Sequence, residues 1–221
     1  NIIWGGNDTE GYHTSHLIKT SMTNLGSSDM GPATGNQATF LVIAHCIVKD
    51  NKIIEEWLVR DNYALTEQLG FDVHQIAVKK ASEPPQKRLE DWYQSELRRV
   101  IGSVTHERRP FSGCSSEDSE GLIEVLMQNI WNARLLGDVF QSYSEDALFH
   151  CSRNQTLKGH KQISAFYAQL IGTVTHLKFS FDYCCSIAND RGGKDVAVRW
   201  TIAGNHGGSG LYGEPTGIPL L

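Results

Sequence analysis

No apolar run in the sequence approaches the ~20 residues that a helix needs to cross a bilayer, so no membrane segment is expected. Positive charge is not in excess: 20 Lys and Arg against 25 Asp and Glu leave a formal net charge of −5. That balance lacks the basic footprint of a nucleic-acid or anionic-lipid surface, and neither partner is expected. No signal-peptide pattern is seen, and the chain starts at Asn1 without a methionine, directly in strand-like sequence. A truncated piece of a longer reading frame is the expectation. The five cysteines are odd in number and lack metal spacing. Cys184 and Cys185 are adjacent and face opposite sides of a strand, so they are poor partners for each other. Reduced thiols in a cytoplasmic protein follow, and the sequons at Asn7 and Asn154 then read as chance matches.

Several chemistries also lack their motifs. There is no His-Glu-x-x-His, no Cys/His cluster and no Gly-x-Ser-x-Gly elbow, so metal, cofactor and covalent catalysis have no support. His13 and His16 stand three apart, which on a strand sends them to opposite faces. Gly208-x-Gly210-x-x-Gly213 runs into Pro215-Thr216-Gly217, a turn, where a dinucleotide fingerprint needs a helix N-terminus.

What is present reads as an ordinary globular chain of one large domain or two small ones, 40% hydrophobic and 20% charged. Residues 11–24, 36–49 and 52–61 alternate as strands, with a Gly/Ser/Pro loop at 25–35 and a turn at 49–51. From Asn62 the period changes to that of helices, over 62–70, 86–104, 122–137 and 159–171. Strands are expected again at 147–151, 174–188 and 195–206, and residues 108–121 have the composition of a linker. The chain also repeats itself. A shift of 182 residues lays "GPATG" (31–35) on "GEPTG" (213–217) without a gap, which predicts two incomplete copies of one domain type.

For chemistry, the strand 52–61 ends at Asp61, an even number of residues after Trp57, so ring and carboxylate should share a face. A carboxylate against aromatic surface loses solvation, which suits proton transfer. His45, near the end of an apolar strand, is the candidate helper, with His16 on the preceding strand in reserve.

"KIIEEWLVRDNYALTEQLG" (52–70) resembles the strand-plus-helix ending of SnoaL-like polyketide cyclases, with its Trp-x-x-x-Asp. "LKGHKQISAFYAQL" (157–170) and "DVAVRWTIAGNHGGSGLYGEPTG" (195–217) resemble the third helix and the central strand of the same fold. The resemblance implies an α+β fold like nuclear transport factor two: a curved antiparallel sheet with packed helices, forming a cone-shaped pocket. Residues 1–107 would hold the later part of a first copy with connecting helices, and 122–221 the earlier part of a second. The implied activity is cofactor-free acid/base catalysis, an aldol-type ring closure or isomerisation of a small apolar carbonyl compound. Asp61 matches the family's acid/base aspartate, and His45 or His16 would assist. Trp57, Ile43, Phe166, Tyr167, Trp200 and His206 would line the ligand's walls. A ligand-binding or assembly protein of the same fold without the chemistry is the alternative. A bare sheet 1–61 would expose its apolar residues, so helices from 122–171 are expected to cover it, within one chain or across a homodimer.

Overall fold

The computed structural model describes residues 2–103 and 118–221; positions 104–117, most of the predicted linker, lie outside them. The chain is a mixed α and β protein whose sheets are antiparallel, and it divides into two compact units. One holds residues 1–85 and 150–156, the other 86–149 and 157–221. Among the described residues no helix is long and apolar enough to cross a membrane.

The first unit is a four-stranded meander: β1 (Ile2–Asn7), β2 (Gly11–Thr23), β3 (Gln37–Lys49) and β4 (Lys52–Arg60), in that spatial order. Asp50 and Asn51, at φ +51 and +58, make the two-residue turn between β3 and β4, a left-handed geometry that Asp and Asn tolerate. The register slips by one between Ile47 and Val48, where Ile54 is the extra residue on β4. Asp61 caps helix α1 (Asn62–Gln68), accepting from Ala64 N at 3.0 Å, and Gly70 at φ +84 ends it. Leu65 and Leu69 of α1 pack on Ala38 and Phe40, with Met30, Val42 and Phe71 around them. A second helix, α2 (Val73–Ser82), buries none of its residues. It has no apolar stripe for a periodicity to reveal, and Asp72 starts it by accepting from Gln75 N.

The second unit contains α3 (Lys87–Ile101), α4 (Ser119–Trp131), α5 (Asp138–Ser142), α6 (Gly159–Thr173), β7 (Val174–Ala188), β8 (Lys194–His206) and the short β9 (Pro219–Leu220). The hairpin of β5 (Leu148–Cys151) and β6 (Gln155–Lys158) has its tip, 150–156, in the first unit. The helix expected over 122–137 breaks at Asn132. Its side chain leaves the helix to bridge strand β7, accepting from Phe179 N and donating to Phe179 O at 2.9 and 3.0 Å. Leu126, Ile130, Trp131, Val139, Ile163, Tyr167, Val174, Leu177 and Phe179 form the buried core. Helices α3, α4 and α6 pack on the β7–β8 sheet from within this unit.

Helix α3 belongs here rather than with residues 1–85, because its side chains are spent on this sheet. Leu97 and Val100 pack on Ala203, and the Arg99 guanidinium meets Asp182 at 2.8 Å, Ser180 at 3.0 Å and Thr201 at 3.2 Å. Burial would raise the Asp182 carboxyl, but donors from Arg99, Ser180 and Thr201 outweigh it and hold the group below its ordinary value. A carboxylate depressed in the folded state adds stability above its unfolded value of ~3.9, which disappears as pH falls through the folded value. Urea midpoints at pH 7 and pH 3 should therefore separate the wild type from Asp182→Asn, which lacks this acid-limb loss; parallel curves would contradict it. Arg99→Ala should cost about 1–2 kcal/mol at pH 7 by the same measurement, since Arg99 is itself half-exposed.

The 182-residue shift extends far beyond the two Gly/Thr turns. The pairs Ile2↔His16, Ile3↔Ser15 and Trp4↔Thr14 recur as Cys184↔Val198, Cys185↔Ala197 and Ser186↔Val196. Met22↔Ala38 and Thr23↔Gln37 recur as Gly204↔Leu220 and Asn205↔Pro219. The turns match bond for bond: Gly35 N donates to Asn24 O as Gly217 N donates to His206 O. The Thr34 hydroxyl meets the Asn24 side chain as the Thr216 hydroxyl meets His206 Nδ1, at 3.4 and 3.1 Å. Strand pairing thus repeats in register from residue 2 to 38 and from 184 to 220, although few side chains are shared.

Candidate functional site

His45 sits mid-way along β3, between Ser15 of β2 and Trp57 of β4, its register partners on either side. Its ring is buried and bonded at both nitrogens. Nδ1 lies 2.7 Å from Ser15 Oγ, and Nε2 lies 3.0 Å from His13 Nδ1. The Trp57 ring stands edge-on to it, with centroids 5.7 Å apart. Alternation along the three strands brings Leu17, Ile43 and Val59 to the same face, all exposed. Buried imidazole, fixed hydroxyl, second imidazole and apolar surround make this the best-built polar cluster of the first unit.

The other sequence candidates are distributed differently. Ile43 pairs with Val59 beside His45. His16 is opposite Ala44 and faces the other side of the sheet, bonded to Thr14 Oγ1 at 3.3 Å, so it cannot stand in for His45. Asp61 lies one residue past the strand that carries Trp57. The strand ends at Arg60, and the Asp61 carboxylate turns to the start of α1, a helix that packs on the Phe40 side of the sheet. One carboxylate oxygen accepts from Ala64 N and the other from Asn154 N at 2.9 Å.

Phe166, Tyr167, Trp200 and His206 lie in the second unit. Tyr167 is buried under Trp131, with its hydroxyl 2.9 Å from that of Tyr143, and burial pushes both phenols up. Phe166 packs on Phe149, and Trp200 stacks on Trp131 at 5.9 Å. His206 is buried, bonded through Nδ1 to Thr216, and its Nε2 has no hydrogen-bond partner among the described residues. Phe166, Tyr167 and Trp200 thus pack among the aromatic rings of their own unit, while the His206 ring meets Tyr212.

Sequence reasoning missed Ser15 and His13. The signal was the pairing register: Ser15, not His16, lies opposite His45, and His13 follows on the same face. Thiol chemistry is disfavoured at the cysteines of the sheets. Burial and then Glu56 push the Cys46 thiol up, and burial followed by Glu120 pushes Cys184 up to about 12. Among the described residues no three His, Cys, Asp or Glu side chains converge as a metal site would need. Comparison with protein-family models, with curated proteins and with solved structures finds no match.

Proposed function

We propose that the chain carries a cofactor-free acid/base site of the SnoaL-like cyclase kind, with His45 as the group that takes and returns the proton. The observation that carries the reading is the hydrogen-bonded row Ser15–His45–His13 beside Trp57. A general base needs a fixed ring, a defined tautomer and a place for the proton to go, and this row supplies all three. Leu17, Ile43, Trp57 and Val59 offer apolar surface to a small carbonyl compound with an acidic C–H. His45 would remove that proton once one of its two ring hydrogen bonds opens, giving an enolate, and ring closure or double-bond migration would follow from how the substrate is folded. The test is deuterium uptake at the acidic carbon of an apolar 1,3-diketone in D2O, wild type against His45→Gln.

A second reading, ligand binding without turnover, is favoured by one observation. Both oxygens of Asp61, the residue that matches the family's aspartate, are engaged by backbone N–H groups. A capping carboxylate is spent on structure. Mass spectrometry of molecules that copurify with the chain, combined with absent deuterium uptake, would favour this reading.

A further inference from the structure

We infer that His206 is an acid-sensitive latch, holding the glycine-rich loop 207–217 closed while its ring is neutral and releasing it when the ring takes up a proton. Three bonds at the neck of this loop run through that residue. His206 N donates to Ile218 O at 2.9 Å, Gly217 N donates to His206 O at 2.8 Å, and Nδ1 meets Thr216 Oγ1 at 3.1 Å. The ring is 5% exposed and stands opposite Val174 of β7, with Tyr212 of the loop edge-on to it. Its Nε2 is shut off from solvent and has no hydrogen-bond partner among the described residues. Beyond the neck, the closed loop presses on the end of α6. Gly207 N and Gly208 N both donate to Thr173 O, at 3.2 and 3.1 Å, and Leu211 N donates to Thr173 Oγ1 at 3.4 Å. A Cβ on Gly208 would collide with Gly172 O, so only glycine closes this far.

A neutral ring fits this socket in either tautomer. If Nδ1 donates to Thr216, Nε2 is a bare lone pair; if Nδ1 accepts from the hydroxyl, Nε2 carries an N–H with nothing to receive it. The imidazolium fits worse. It carries an N–H on both nitrogens, and one of them would be a charged donor held away from water without an acceptor. A proton taken from solvent therefore favours the ring outside the socket, and the Thr216 bond and the neck are lost with it. The loop's own ionisable side chains are Tyr212 and Glu214, both exposed; β7 adds His176, also exposed, and the last turn of α6 and β9 carry none.

The first unit builds the same socket around a side chain that does not titrate. Asn24 takes the place of His206 under the 182-residue shift: its N–H donates to Asn36 O, its C=O accepts from Gly35 N, and its side chain meets Thr34 at the same 5% exposure. Loop 25–35 has one ionisable side chain, Asp29, and its hydrogen bond and ion pair with Lys80 hold that carboxyl below its ordinary value. Mild acid should open one loop and leave the other closed.

Amide hydrogen exchange of the whole chain, corrected for intrinsic rates, reads both loops at once. Between about pH 8 and pH 5, where histidine ordinarily changes charge, protection of the Gly207, Gly208, Leu211 and Gly217 amides should fall at least about 10-fold. The Asn24, Gly31 and Gly35 amides should keep theirs. His206→Asn, which copies the first socket, should abolish the fall, and His206→Gln repeats the test where the first variant folds poorly. An equal loss in both loops, no loss in the wild type, or a loss that survives the substitution would overturn the latch. The wild type also decides the matter without any variant. Ring-nitrogen NMR should show His206 gaining its second proton over the same pH interval in which the loop amides lose protection. A ring that charges while the loop stays closed would equally overturn it.

Discussion

Phe179→Ala should destabilise the second unit by about 3–5 kcal/mol, the range for removing a buried aromatic side chain. Phe179 is only 1% exposed, and its ring lies against Trp131, Trp200 and Phe181 at centroid distances of 6.4, 5.8 and 6.4 Å. The cavity cannot close easily, because the backbone of Phe179 is tied at both N–H and C=O to Asn132. The first unit has a separate core on Ala38, Phe40, Leu65 and Leu69. The loss should therefore fall on one part of the urea transition, read by the fluorescence of Trp131 and Trp200. A loss below about 1 kcal/mol would mean that the α4–β7 packing is not the centre of this unit.

His45→Gln should lower deuterium uptake at the diketone carbon at least 100-fold, within the ~10²–10⁴ span of one acid/base group. Glutamine keeps a polar side chain beside Ser15 and His13, so the sheet should remain folded while the titratable group is gone. The loss should appear in kcat with KM nearly unchanged, because the apolar contacts of Leu17, Ile43, Trp57 and Val59 remain. Proton NMR of the diketone signal in D2O measures it directly. Uptake equal to that of the wild type would remove His45 from the mechanism and leave the row Ser15–His45–His13 as sheet structure.

The strands β2, β3 and β4 were legible in the sequence because alternation and turn residues agree, and α3 and α6 because their apolar stripes are long. What escaped was set by tertiary partners. α4 stops where Asn132 turns to strand β7, and β9 exists through its pairing to Gly204 and Asn205. The same holds for the site. His45 and Trp57 could be named from one strand each, but Ser15 and His13 needed the register between strands, which no single strand encodes. Asp61 was placed by parity, and parity expires where the strand does. Its short polar side chain, three residues ahead of a helical N–H, is equally the mark of a cap, and the cap is what forms. The repeat was visible only at its turns, where glycine and threonine have backbone duties; elsewhere its two copies share pairing and not side chains.

The single extra residue on β4 has a consequence for what kind of neighbour the imidazole has. Counting back from the Lys49↔Lys52 pair without the slip would set Glu56 across from His45. Ile54 pushes every later residue of β4 along by one, so Trp57 arrives there and the carboxylate goes to Cys46 on the opposite face. A carboxylate beside a histidine favours its cationic form, whereas an indole edge offers it no such counter-charge. One inserted isoleucine, itself exposed, thus decides whether an acid or an aromatic ring stands beside the buried imidazole.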